Sequence, residues 1–81
     1  MSRRTYSGQE LVKALRKWNF APVDREGSHV KLRYVNPDTG EVRTVSIPMH
    51  DELATGTLRK IADQCGADDF QEFLDAIEDL I

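Results

Sequence analysis

The residues best suited to chemistry are Gly27-Ser28-His29, followed by an alternating run from Val30 to Val35. A glycine supplies a tight turn, then come a hydroxyl and an imidazole, and then a strand begins. His29 is thereby placed at the mouth of a strand, held rigidly and still within reach of solvent. An unperturbed imidazole titrates near neutrality, at about 6.5, which suits it to moving protons in either direction. Ser28 and nearby backbone N–H groups can hold an anionic oxygen. Lys31 and Arg33 on the same strand, and Arg59 and Lys60 further on, can neutralise phosphates. The only other histidine, His50, is the auxiliary candidate, since it ends the third predicted strand. Read from turn and strand alone, His29 is better explained as a surface strand histidine without a role, and His50 as a loop-capping one. Arg59 and Lys60 are likewise open to reading as a solvated helix turn.

Charge divides along the chain. The 81 residues carry a formal charge of −3. All seven acids from Asp63 onward stand in a stretch without Lys or Arg, so the first 62 residues hold the other seven acids against all eleven bases, a net of +4. A basic body with an acidic appendage hints at nucleic-acid contact, although acidic helix faces also serve solubility. The length allows one small core. The single Cys65 cannot form an internal disulfide, and one cysteine with two distant histidines makes no convincing metal set. No cofactor is expected. No apolar run approaches a membrane span, and no apolar segment follows Met-Ser-Arg-Arg-Thr, so a cytoplasmic location without membrane contact is expected.

The elements that must position these residues follow from pattern. Arg3 and Arg4 sit in a polar lead. Ser7-Gly8-Gln9-Glu10 matches a capping box, and Leu11, Val12, Leu15 and Trp18 continue at helical spacing, with Lys13, Arg16 and Lys17 on the other side. Asn19 is a left-handed stop and Pro22 prevents continuation. Phe20 to Arg25 is predicted as a first strand, at an edge because Pro22 removes a donor. In the second, His29 to Val35, the period of two sets Val30, Leu32 and Tyr34 against the core and His29, Lys31 and Arg33 outward. Asn36 to Gly40 is a hairpin loop. Glu41 to Ile47 is the third strand, with Val45 and Ile47 inward and Thr44 and Ser46 outward. Thr57 is the expected N-cap of a helix that stops at Gly66, which sets Arg59 and Lys60 in its first turn, where cations oppose the dipole unless they meet phosphate. Asp68 is the expected cap of a last helix with the stripe Phe70, Phe73, Leu74, Ile77 and Ile81. Trp18, Phe20 and Tyr34 could stack on bases, with core packing favoured for the first two. The order predicts an α+β layer fold, helices on one face of a small antiparallel sheet and the other face wet. A body over residues 1–66 carries an acidic C-terminal helix over 67–81.

Four segments together carry a resemblance to the HicA toxins of toxin–antitoxin pairs. They are Ser7 to Leu15, Arg25-Glu26-Gly27-Ser28-His29, Val45-Ser46-Ile47-Pro48-Met49-His50, and Gly56-Thr57-Leu58-Arg59-Lys60-Ile61. The resemblance implies a double-stranded-RNA-binding-like α-β-β-β-α fold, an mRNA-cleaving endoribonuclease (an mRNA interferase), and neutralisation by a HicB-like antitoxin. The family's catalytic histidine maps onto His29. The alternative is a module that has kept the fold and lost the chemistry, binding RNA or only protein. The chain departs from the family pattern in its acidic last helix and in Asn19, where a glycine commonly ends the first helix.

Overall fold

The computed structural model describes residues 5–81; the polar lead with Arg3 and Arg4 lies outside the described residues. The elements run α1 (Gly8–Lys17), β1 (Ala21–Glu26), β2 (His29–Val35), β3 (Val42–Pro48), α2 (Thr55–Cys65) and α3 (Phe70–Leu80). The three strands form one antiparallel sheet in the order β1-β2-β3. This is the α+β layer arrangement that the pattern predicts and the double-stranded-RNA-binding-like order that the resemblance implies, with a further helix at its end.

Local chemistry explains each boundary. The Ser7 hydroxyl accepts from the Glu10 N–H at 3.1 Å, and the Glu10 carboxylate accepts from the Ser7 N–H at 3.0 Å, which closes the capping box of α1. Asn19 takes φ 72° just past the helix. Its N–H reaches the Arg16 carbonyl while the Phe20 N–H reaches that of Leu15, a Schellman pair that satisfies two orphan carbonyls. The end of α2 repeats the device, from Gly66 to Asp63 and from Ala67 to Ala62. In the hairpin loop the Asn36 side chain accepts from Asp38 and Thr39 N–H groups. Strand β1 lies at the sheet edge, and a bulge at Val23 interrupts its pairing between Pro22 and Asp24. Pro22 and the bulge both discourage pairing with another chain.

Two helix starts differ from the sequence expectation. Helix α2 begins at Thr55, so its N-cap is Ala54 and Thr57 is its third residue. Leu53 and Leu58, at 5% and 6% exposure, are both drawn into the core, and the Leu53 N–H donates to the Tyr6 carbonyl at 2.8 Å. This anchorage sets the start of the helix and overrides the capping preference of Thr57. Arg59 and Lys60 therefore stand in the second turn, and the dipole penalty expected for them does not arise. Helix α3 is capped by Asp69 rather than Asp68; its carboxylate accepts from the Glu72 N–H at 3.0 Å.

One hydrophobic cluster joins all three helices to the inner face of the sheet. Val30, Leu32, Val45 and Ile47 meet Leu11 and Leu15 of α1, Ile61 of α2, and Phe73 and Ile77 of α3. Each such side chain contributes about 1.5–3 kcal/mol by leaving water. Helix α3 is bound to α1 by the Trp18–Phe73 edge contact, with ring centroids 6.1 Å apart, and by Lys17 Nζ donating to the Leu80 carbonyl at 2.8 Å. Phe20 is buried and stacks at a tilt on Tyr34. The outer face of β2 is left to solvent, with His29, Lys31 and Arg33 all exposed.

Candidate active site

Gly27 is the first central residue of a two-residue turn, with φ 57°. A positive φ at Gly27 but not at Ser28 marks a type II′ hairpin, whose twist matches that of the strands it joins. Any side chain at Gly27 would be strained. The turn makes His29 the first residue of the central strand, opposite Glu26 on one side and Pro48 on the other. The ladder continues one step beyond, as the Met49 N–H donates to the Ser28 carbonyl at 2.6 Å. The backbone of His29 is thus fixed from both flanks while its side chain stays exposed.

The exposed side chain enters a cleft of about 560 Å³ between the end of β3 and α2. Ser46 and Pro48 form the strand wall; Gly56, Thr57, Lys60 and Gln64 form the helix wall. The two walls are tied by the Ser46 N–H, which donates to Gln64 Oε1 at 3.2 Å across the open edge of β3. Ala54 provides no side-chain cap, so the positive end of α2 opens at the cleft mouth without one. Imidazole, ammonium and an uncapped helix start share one concavity. Such a set can hold a phosphate and move a proton beside it.

The other residues singled out in the sequence lie elsewhere. Lys31 and Arg33 continue outward along β2 on the exposed face, beyond the cleft lining. Ser28 is exposed in the turn and takes part in the ladder through its carbonyl. The Arg59 guanidinium lies over the Phe70 ring, 4.4 Å from its centroid, a cation–π contact that joins α2 to α3. His50 does not line the cleft; its carbonyl accepts the Gly8 N–H at 2.9 Å. The two histidines are therefore not gathered into one site. Cys65 is half-buried, and burial pushes its thiol up to about 12 against the pull of the Arg43 guanidinium. It stays neutral near neutral pH and is no nucleophile.

Sequence reasoning missed Gln64, which binds the strand edge, and Gly8, which sets the distance between α1 and the end of β3. A Cβ at Gly8 would strike the Pro48 carbonyl oxygen and come within 2.8 Å of the Met49 Cα. The available signal was a glycine in the first turn of an otherwise well-capped helix, where it is unfavourable by about 1 kcal/mol unless packing requires it. Gln64 gave no such signal, being one polar residue among many on a helix.

A family model described as the HicA toxin of bacterial toxin–antitoxin systems matches residues 8–67. Comparison with curated proteins gives no match.

Proposed function

The chain belongs to the HicA toxin family, and from that premise we propose that it is an mRNA-cleaving endoribonuclease. In this reading His29 is the catalytic acid–base group, and a HicB-like antitoxin holds the toxin inactive in the cytoplasm. The observation that carries the reading is that His29 and Lys60, far apart in sequence, line the same cleft with the uncapped start of α2.

RNA carries its own nucleophile. The 2′-hydroxyl attacks the adjacent phosphorus, the O2′–P bond forms and the P–O5′ bond breaks. His29 takes the hydroxyl proton, and the imidazolium so formed can return it to the departing 5′ oxygen. Lys60 and the N–H groups at the start of α2 offset the charge that grows on the phosphate oxygens. Ser28, Lys31 and Arg33 supply backbone contacts on either side of the cut and carry no sequence preference. Arg59, engaged with Phe70, contributes to this surface only if it leaves that ring.

The chemistry can be tested without altering the protein. Toxin freed of its partner is offered an RNA and the same RNA with 2′-deoxy nucleotides throughout. The RNA should be cut to leave a 2′,3′-cyclic phosphate and a 5′-hydroxyl, and the deoxy strand should survive. Cutting of both strands alike would remove the 2′-hydroxyl from the mechanism. Absence of any cutting would leave a binding module with the same fold.

A further inference from the structure

The described basic residues differ in how the fold engages them. Lys17, Arg43 and Arg59 have structural tasks, with Leu80, Glu41 and Phe70 as their respective partners. Lys13 and Arg16 are exposed and, among the described residues, are held by no ion pair. Both border a second concavity of about 290 Å³, lined by Gln9, Val12, Lys13, Arg16 and Met49. The helix residues stand at i, i+3, i+4 and i+7, so they share one flank of α1. Val12 and Met49 are half-buried and pack on the core, giving the groove an apolar floor. Gln9 adds an amide that can both donate and accept. Two free cations, an apolar floor and one amide are what a nucleotide requires: phosphate contacts, a surface for the base and an edge to read.

The position of this groove is as telling as its composition. Met49 directly follows Pro48, and Pro48 lines the His29 cleft. The two concavities therefore border the same strand end through consecutive residues, against which Gly8 seats α1. We propose that the α1 groove is a second nucleotide subsite, which takes a nucleotide flanking the cut in single-stranded RNA. The base lies over Val12 and Met49, and the phosphate between Lys13 and Arg16. The proposal rests on the ribonuclease reading and extends its site across the Pro48–Met49 ridge.

The test is RNA binding by the full chain carrying His29→Ala, which keeps the probe intact. The probes are a labelled single-stranded RNA oligonucleotide, long enough to cross the ridge, and a dinucleotide confined to the cleft. Adding Lys13→Gln and Arg16→Gln together should flatten the dependence of log affinity on log salt for the oligonucleotide by about 0.7, the value for one phosphate contact on a single strand. Dinucleotide affinity should not change, whereas Lys60→Gln should weaken both probes. If Lys60→Gln acts and the double substitution does not, the ribonuclease reading survives and the subsite is overturned. The same holds if the double substitution weakens only antitoxin binding. If the parent binds neither probe, both readings fall together. A 4-thiouridine oligonucleotide provides a second measurement on the unsubstituted groove: crosslinks should map to Met49 or to residues 8–17, and their absence there would overturn the subsite even if the double variant failed to fold.

Discussion

At the scale of single residues, two glycines and a histidine define the candidate site. Gly27 was legible because a glycine before an alternating run reads as a turn, and the turn alone puts His29 at the strand mouth. Gly8 was not legible, because its reason lies in a strand more than thirty-five residues away in the sequence. Replacing a helical glycine by alanine ordinarily stabilises by about 0.5–1 kcal/mol. At Gly8 the sign should reverse, since the new methyl would meet backbone, which has no rotamer with which to yield. Overpacking of this kind costs about 1–3 kcal/mol. Gly8→Ala should therefore lower the midpoint of thermal unfolding, and any substantial activity loss should accompany it because Pro48 borders the His29 cleft. An alanine variant that melts at a higher temperature would show that α1 can move away from the strand end freely.

At the scale of elements, the strands were readable and the start of α2 was not. Alternation from Val30 to Tyr34 and the Asn36–Gly40 loop specify a hairpin through local chemistry, so a single sequence suffices. The start of α2 depends on Leu53 and Leu58 reaching the core, a tertiary demand that capping preference does not reveal. The shift by three residues separates the roles of neighbours that looked alike. Lys60 lines the cleft and Arg59 lies on Phe70. Lys60→Ala should flatten the salt dependence of RNA binding by about 0.7 with little change in stability. Arg59→Ala should leave that slope nearly unchanged and lower stability by about 0.5–1 kcal/mol, the strength of an exposed cation–π contact. Equal slopes and equal melting points for the two variants would erase the distinction drawn from their positions.

At the scale of the whole molecule, the division between a basic body and an acidic end takes structural form. The acidic helix α3 contributes Phe73 and Ile77 to the common core, so its charges are carried by an element the fold uses. The layer architecture was legible because the order of helix, three strands and helices leaves few ways to cover one sheet face. The meeting of His29 with Lys60 was not, since it depends on α2 running beside the open edge of β3, where Gln64 ties it to Ser46. The central claim is that this assembled corner is a catalytic site with His29 as its acid–base group. The most direct measurement compares cleavage and RNA binding by the freed protein with those of His29→Ala, with His50→Ala as control. Cleavage by His29→Ala should fall by about a hundred- to ten-thousand-fold. RNA binding should persist, and stability should stay within about 0.5 kcal/mol, as for exposed positions generally, while His50→Ala retains activity. Undiminished cleavage by a folded His29→Ala protein, or its loss only in His50→Ala, would contradict the assignment.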